Sequence, residues 1–259
     1  MMKTNYHSHH QLCGHATGDV EQYVLEAIKN NFDEIGISDH GPIPAEAFVR
    51  MSDEEFENIY LLELENAIKK YSNRIKILKG LEIEFIIGEE EHYKKLLEKV
   101  DYLILGCHYY EGLKSLHGYS SYGIKTHEQL EKYTSLIEQA LDTKLFKILA
   151  HPDMFMYGYR KFDSFAEECT KRIVDAVNRN DVLLEFNAGG IRTNRYFDEN
   201  GNPDYAVPNH HFWSIVSGTK VKVILGSDCH KPEELNDEAF QFASELAKMY
   251  QLNIVNKLF

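Results

Sequence analysis

The sequence contains no long apolar segment, although 43% of its 259 residues are hydrophobic. A helix needs about 20 consecutive apolar residues to cross a bilayer, and no stretch of that length occurs. The first residues, from Met1 to Asn5, also lack the apolar core of a signal peptide. We therefore expect a cytoplasmic protein with no membrane partner.

Cysteine and basic residues are also scarce. The four cysteines (Cys13, Cys107, Cys169 and Cys229) form no C-x-x-C pair, so we expect reduced thiols rather than a disulfide framework. Lysine and arginine total 28 against 41 acidic residues, which gives a net charge of -13. Because this charge repels polyanions, we expect no nucleic-acid partner.

Short apolar segments alternate with helical patterns along the chain, which is typical of βα units. The apolar segments lie near residues 3–9, 34–40, 75–85, 102–110, 146–152, 182–188 and 221–228. Helix starts between them have capping-box spacing, as in Ser52 with Glu55 and Ser164 with Glu167. Seven strands with intervening helices predict one α/β domain over residues 1–259. A (β/α)7 barrel or a relative of the (β/α)8 barrel is the first interpretation, and an open doubly wound sheet is the second.

Histidine and acidic residues gather at the predicted carboxyl ends of these strands, which form the active-site face of a parallel barrel. Seven histidines and two carboxylates share this position: His7, His9, His15, His40, Glu82, His108, His151, Asp228 and His230. Burying so many ionisable groups without cations would carry a heavy desolvation cost. Imidazole and carboxylate together suit Zn²⁺, Mn²⁺ and Fe²⁺. We therefore predict a site for two to three of these divalent ions.

These residues carry a family resemblance. The motifs are His7-x-His9, His15, Asp39-His40, Gly80-Leu81-Glu82, His108, His151-Pro152 and Asp228-x-His230. In this order they resemble the PHP (polymerase and histidinol phosphatase) family. The stretch from His7 to His15 is similar to the histidinol phosphatase branch, because branches acting on nucleotides commonly have an acidic residue at position 15. One departure is His10, where a threonine is common in the family.

The resemblance implies a fold, a metal centre and an activity. The implied fold is a distorted (β/α)7 TIM-like barrel with a trinuclear metal centre at the carboxyl ends of the strands. The first ion would be held by His7, His9, Glu82 and Asp228. Glu82 would bridge to a second ion held by His108 and His151. The third ion would be held by His15, His40 and His230.

Candidate substrate residues lie in the loops on the same face. Arg160, Arg192 and Arg195 follow the fifth and sixth predicted strands, and the fork of arginine suits a phosphate dianion. We interpret Asp39 as a carboxylate that orients a neighbouring histidine, with a general-acid role as the alternative. His117 lies in a loop rich in Gly, Ser and Tyr, and we consider it a candidate for a role with the substrate.

Aromatic residues in the same loops have two open interpretations. They are Tyr109, Tyr110, Phe155, Tyr157 and Tyr159. Each could cover an imidazole ring of the substrate, or could pack the loops against the barrel.

The leading hypothesis is a metal-dependent phosphatase acting on a small phosphate monoester. Through the resemblance, L-histidinol phosphate, an intermediate of histidine biosynthesis, becomes the expected substrate. The alternative is a PHP phosphoesterase acting on nucleotides or on general phosphomonoesters, and a third hypothesis is a non-catalytic metal-binding scaffold. The sequence leaves open the native metals, the oligomeric state, the proton donor to the leaving alcohol and the residues that recognise the imidazole and amine. Activity toward histidinol phosphate and nucleoside monophosphates would separate the first two hypotheses.

Overall fold

The computed structural model describes residues 2–44, 50–110, 120–193, 195–197 and 203–259, without the side chains of residues 195–197 and 203. The strands are β1 (Thr4–Asn5), β2 (Glu34–Ile37), β3 (Lys76–Ile83), β4 (Tyr102–Leu105), β5 (Ile148–Leu149), β6 (Leu183–Asn187), β7 (Arg195–Phe197), β8 (Pro203–Tyr205), β9 (Lys222–Gly226) and β10 (Asn253–Ile254). Eight of them form one parallel sheet in the order β1-β2-β3-β4-β5-β6-β9-β10. The remaining two, β7 and β8, form an antiparallel pair.

The parallel sheet curls into a distorted TIM-like barrel. Ser8, after β1, pairs with Cys229, after β9, in an isolated parallel bridge. Beside it, His9 N donates to Cys229 O at 3.0 Å and Asp228 N donates to His7 O at 2.9 Å. These contacts connect β1 with β9, so seven strands surround the interior and β10 extends the sheet beyond β9. Each of the seven predicted apolar segments contains one of these seven strands, which confirms the predicted barrel.

Helices fill the connections between the strands. They are α1 (Val20–Lys29), α2 (Asp53–Glu55), α3 (Leu61–Tyr71), α4 (Glu90–Leu97), α5 (His127–Asp142), α6 (Ser164–Arg179), α7 (Gly189–Thr193), α8 (His210–Val216) and α9 (Glu238–Met249). The capping box of Ser52 and Glu55 is confirmed. That of Ser164 is wrong, because Asp163 is the N-cap and accepts from Ala166 N. Within the described residues, none of the helices has the length and apolar character to span a bilayer.

The amino end of the barrel interior is filled with side chains. The buried residues there are Tyr6, Leu78, Tyr102, Ile104, Ile148, Ala150, Leu183 and Ile224. Two glycines make room for the ring of Tyr102, since a Cβ on Gly36 would lie 2.0 Å from its Oη and one on Gly80 would lie 2.2 Å from its Cζ. Near the chain terminus, Leu258 N donates to Tyr6 Oη at 3.4 Å and so helps to close this end. The opposite, carboxyl end carries the polar side chains.

Candidate metal centre

The strand ends bring all nine predicted ligands to one face of the barrel. Two of them, His151 and Asp228, have positive φ angles of 30° and 48°. A residue other than glycine is uncommon in this region of backbone space, and such strain costs about 1–3 kcal/mol. Strained positions persist where the surrounding structure over-determines them, and they concentrate at functional sites.

Four groups of ligand atoms lie close enough together to hold a metal ion, among the described residues. They are His7-His9-Glu82, Glu82-His108-His151, His15-His40-His230 and His9-Cys13-His230. The second and third of these groups have the same residues as the sets that the family resemblance implies, and the first group has three of the four residues of its set. Asp228 lies beside the first group, with its Oδ1 3.2 Å from His9 Nε2. The fourth group includes Cys13, whose thiol pKa burial raises to about 11, so this side chain is a neutral thiol.

Imidazole nitrogens converge within these groups. His7 Nε2 lies 3.1 Å from His9 Nε2, and His15 Nε2 lies 2.9 Å from His230 Nε2. Two imidazole nitrogens this close to each other cannot both carry a proton that points at the other, so at least one of the two presents a lone pair to its neighbour. A cation between them satisfies both lone pairs, and this donor set fits Zn²⁺, Mn²⁺ or Fe²⁺.

Glu82 lies between the groups and is 1% exposed. Its Oε1 is 2.9 Å from His151 Nε2 and 3.7 Å from His108 Nε2, while its Oε2 is 3.5 Å from His7 Nε2. Gly106 leaves room for the carboxylate, because a Cβ there would lie 2.4 Å from Oε1. Among the described residues, none forms a hydrogen bond with the buried Oε2, although His40 Nδ1 lies 3.1 Å from it. An unsatisfied buried carboxylate oxygen is costly, and a bound cation would remove that cost.

Electrostatics divide the histidines into two kinds. Burial opposes protonation of His9, but hydrogen bonds to Asp228 and Asp39 raise its pKa to about 9. Burial and the nearby charge of His9 instead lower the pKa of His230 to about 4. Burial likewise holds the pKa of His40 well below its ordinary value. At neutral pH, the imidazoles of His40 and His230 are therefore uncharged and have a lone pair for a metal ion. The imidazole of His9 is protonated, so a metal ion must displace its proton.

Two carboxylates stand behind the ligands and orient them. Glu84 Oε1 accepts from His108 Nδ1 at 2.6 Å. Asp39 is fully buried and lies 3.3 Å from His9 Nδ1, with a second, shorter hydrogen bond to His10 Nδ1. Such bonds place the proton on Nδ1 and turn the Nε2 lone pair toward the metal site. The geometry of Asp39 agrees with an orienting role.

A third orienting carboxylate, Glu185, was missed in the sequence. It is 1% exposed, and its Oε1 accepts from His7 Nδ1 at 2.7 Å. Its Oε2 accepts from the backbone nitrogen of His151 at 3.1 Å and from Asn187 Nδ2 at 2.9 Å. Gly226 is required beside it, because a Cβ there would lie 1.7 Å from Oε1. The available signal was a charged residue inside the apolar strand β6.

The guanidinium of Arg192 is held by a network of hydrogen bonds. Its Nε and Nη2 donate to the Asp237 carboxylate at 2.6 and 2.9 Å, and Nη2 also donates to Glu234 O at 2.7 Å. Its Nη1 donates to the backbone oxygens of Ser227 and Asp228 at 2.5 and 3.4 Å. These contacts use all five N–H groups of the guanidinium. Arg192 therefore fixes the strained loop that carries Asp228, and its predicted contact with phosphate stays a prediction.

Of the other predicted substrate residues, the structure describes the side chain of Arg160 alone. Arg160 is exposed, with its Nε 3.5 Å from the backbone oxygen of Tyr157. The side chain of Arg195 and the whole of His117 lie outside the described residues.

A cleft of about 360 Å³ opens beside the ligands. Its lining includes His15, His151, Asp228, His230, Tyr122, Tyr157 and Glu234. The rings of Tyr122 and Tyr157 lie 4.9 Å apart and form an aromatic wall. By contrast, Tyr110, Phe155 and Tyr159 are buried and pack the loops. Tyr122 was missed in the sequence, where only its position in a loop was visible.

Comparison with known proteins adds a family and relatives. A model of the PHP domain matches residues 5–189. A protein of Deinococcus radiodurans named "Probable histidinol-phosphatase" is 27% identical over 252 residues, covering 94% of this chain and 91% of that protein. The Bacillus subtilis protein named "Histidinol-phosphatase" is 24% identical over 271 residues, covering 89% of this chain and 94% of that protein.

A solved structure shares the fold. It is the histidinol phosphate phosphatase of Lactococcus lactis, in complex with zinc, L-histidinol and phosphate. The match has a TM-score of 0.71 at 19% sequence identity, and it covers 98% of this chain and 95% of that one.

Proposed function

The chain belongs to the PHP domain family, and on that premise we propose that it is a metal-dependent phosphomonoesterase that hydrolyses L-histidinol phosphate to L-histidinol and phosphate. One observation carries the proposal above the others. Ligand atoms from the ends of several strands converge on the two oxygens of Glu82, and within the described part of the chain one of these oxygens has no hydrogen-bond partner. The names of the two relatives that match most of the chain agree with this substrate.

We assign the nine ligands to two or three divalent ions, which are Zn²⁺, Mn²⁺ or Fe²⁺. The first set is His7, His9, Glu82 and Asp228; the second is Glu82, His108 and His151; the third is His15, His40 and His230. When bound, such ions lower the pKa of water and neutralise charge on a phosphoryl group. Glu82 keeps the first two sets together because its two oxygens face different histidines.

The protein side chains orient the ligands and shape the cleft. Glu185, Glu84 and Asp39 hold the Nδ1 protons of their histidine partners, so that the Nε2 atoms remain available. In the cleft, the wall of Tyr122 and Tyr157 offers an aromatic face to an imidazole ring. We keep Arg160, Arg192 and Arg195 as proposed phosphate contacts, of which Arg192 lines the cleft, and His117 as a proposed substrate contact.

The remaining parts of the proposal concern the whole chain. We propose that residues 1–259 form a single PHP-type domain and that the enzyme acts in histidine biosynthesis. Its four cysteines are free and buried, which fits the reducing cytoplasm as its compartment.

A comparison of substrates tests the proposed function. We expect kcat/KM for L-histidinol phosphate to exceed that for nucleoside 5′-monophosphates and for p-nitrophenyl phosphate by at least about 100-fold, or roughly 2.7 kcal/mol. Equal values for all three would contradict the proposed substrate and favour a general phosphoesterase. A metal-loaded protein without activity on any of them would favour the non-catalytic scaffold.

A further inference from the structure

The imidazole of His10 belongs to none of the proposed ligand sets, yet it contacts a residue that orients one of their members. His10 and Asp39 are both fully buried. The Nδ1 of His10 forms a short hydrogen bond with Asp39 Oδ2, and His10 N donates to the same oxygen at 3.4 Å. The other oxygen, Oδ1, accepts from His40 N at 2.7 Å and lies 3.3 Å from His9 Nδ1. His10 and His9 therefore lie on opposite oxygens of one carboxylate.

The backbone donors fix the direction of these hydrogen bonds. A backbone N–H group donates to each oxygen of Asp39, so both oxygens act as acceptors, as in an ionised carboxylate. The Nδ1 of His10 therefore carries the proton and donates it to Oδ2. A hydrogen bond to a charged acceptor is among the stronger kinds. The contact from His9 Nδ1 is longer, at 3.3 Å, so it depends on other partners to hold the carboxylate in place.

The surrounding structure holds the ring of His10 against Asp39. The ring centroid lies 5.1 Å from that of Tyr60, whose hydroxyl lies 2.8 and 2.7 Å from backbone oxygens of β2 and β3. Among the described residues, none forms a hydrogen bond with His10 Nε2, although Glu63 Oε2 lies 3.9 Å away. Because an unsatisfied buried nitrogen lowers stability, the imidazole contributes through its Nδ1 and the bond to Asp39.

We propose that His10 is a positioning residue of the metal centre. By holding Oδ2, it keeps Oδ1 of Asp39 turned toward His9 Nδ1, so that His9 Nε2 presents its lone pair to an ion on the first ligand set. Partners behind a ligating histidine change metal affinity by about 10- to 100-fold. The inference rests on the metal ligation by His9 in the proposed function, and it is independent of the identity of the substrate.

The metal affinities of three His10 variants test the inference. The amide of asparagine places its N–H group near the position of histidine Nδ1, glutamine places it near Nε2, and leucine has no donor. We expect His10→Leu and His10→Gln to weaken Zn²⁺ binding by about 10- to 100-fold, and His10→Asn to recover most of the loss. Competition with a chromophoric chelator measures each dissociation constant, and denaturant unfolding of the metal-free proteins measures stability separately.

Two further variants separate positioning from packing. Glu63→Gln changes the group beside His10 Nε2 and should bind Zn²⁺ as the wild type does. Asp39→Asn should weaken binding, and the addition of His10→Leu should cause little further loss, because both changes interrupt the same series of hydrogen bonds. A residue that only fills space would instead give losses that add.

Four results would overturn the inference. They are unchanged Zn²⁺ binding in His10→Leu, binding by His10→Asn that is no tighter than by His10→Gln, a loss in Glu63→Gln as large as that in His10→Leu, and additive losses in the double variant. If His10→Leu does not fold, the comparison of His10→Asn with His10→Gln decides in the same way. Failure of the proposed substrate is a separate result. If the affinities follow the expected order but the metal-loaded wild type does not hydrolyse L-histidinol phosphate, the inference stands and the proposed function falls.

Discussion

At the amino end of the barrel, the buried carboxylate of Glu34 accepts from Lys76 Nζ at 2.8 Å and from the hydroxyl of Tyr6. At the carboxyl end, the described residues give one oxygen of the buried Glu82 carboxylate no hydrogen-bond partner, and histidine nitrogens surround this carboxylate. Two neighbouring strands, β2 and β3, thus carry one buried carboxylate whose charge the protein itself satisfies and one whose charge it satisfies only in part. The difference indicates that the buried carboxylate at the carboxyl end is neutralised by a bound cation rather than by a side chain of the protein.

Among the substitutions considered, replacement of Glu82 should have the largest effect on metal binding and activity. Glu82→Gln keeps the shape of the side chain but removes its charge and one good metal-binding oxygen. We expect the loss of at least one ion per chain and a fall in kcat greater than the roughly 100-fold upper range for orienting residues. Metal stoichiometry and kcat, measured on the same preparation, check this prediction.

Glu84→Gln is the matched control for Glu82, because Glu84 follows it by two residues, directly after the end of β3. Because Glu84 orients His108 from behind, we expect a milder loss of about 10-fold. If Glu84→Gln proved more damaging than Glu82→Gln, the bridging assignment would be wrong.

Glu185→Gln should have an intermediate effect. The variant removes the charge that holds the Nδ1 proton of His7, so we expect metal affinity to fall by about 10- to 100-fold. Dialysis against a graded series of chelator concentrations measures this affinity. Gly226→Ala should act in the same direction, because its Cβ would displace the Glu185 carboxylate. Full metal retention in both variants would contradict an orienting role for Glu185.

At the amino end of the barrel, removal of a buried hydrogen bond should lower the stability of the protein without changing its activity. Tyr102→Phe removes the hydrogen bond from Tyr102 Oη to Tyr6 O, at 2.6 Å, and leaves a buried carbonyl without a partner. We expect the free energy of unfolding to fall by about 1–3 kcal/mol, with kcat unchanged. Denaturant unfolding and steady-state kinetics of the metal-loaded variant measure both quantities. A large loss of kcat at unchanged stability would show that the two ends are not independent.

The smallest effect should come from Asp153, a buried acid at the carboxyl end outside the proposed ligand sets. Burial raises its pKa to about 7, while Asn209 N and Trp213 Nε1 donate to its Oδ2. The unfolded value is about 3.9, so between these values the native state binds more protons than the unfolded state. The free energy of unfolding should therefore decrease as pH rises toward 7 and level off above it.

Asp153→Asn should remove that contribution. Denaturant unfolding of the variant and the wild type at several pH values between 5 and 8 gives the difference between their stabilities. We expect the advantage of the wild type to shrink as pH rises. A stability difference between the two proteins that does not change with pH would contradict the raised pKa of Asp153.

The barrel and the gathering of the nine predicted ligands on one face could be inferred from the sequence for the same reason. Apolar segments of strand length end in histidine or carboxylate residues, and parallel strands bring their carboxyl ends to one face. His7 and His9 project together because they are two residues apart, and the structure places their Nε2 atoms 3.1 Å from each other. The local sequence pattern and the two-residue periodicity of a strand are sufficient to predict where such side chains lie.

Residues whose roles depend on distant partners could not be predicted in this way. Glu185 meets His7 across 178 positions of the chain, and no spacing rule connects them. Arg192 lies in a loop whose position suggested phosphate binding. Its guanidinium instead donates to the carboxylate of Asp237, which lies 45 positions later in the chain. The loop position was visible in the sequence, while the partner depended on the packing of α7 against α9.

Reconstitution with metal tests the central claim most directly. The protein is stripped with a chelator, titrated with Zn²⁺ or Mn²⁺, and assayed for hydrolysis of L-histidinol phosphate at each ratio of metal to chain. The account predicts no activity in the stripped protein and full activity once two to three ions are bound per chain. A metal-free chain that hydrolyses L-histidinol phosphate at the full rate would contradict it.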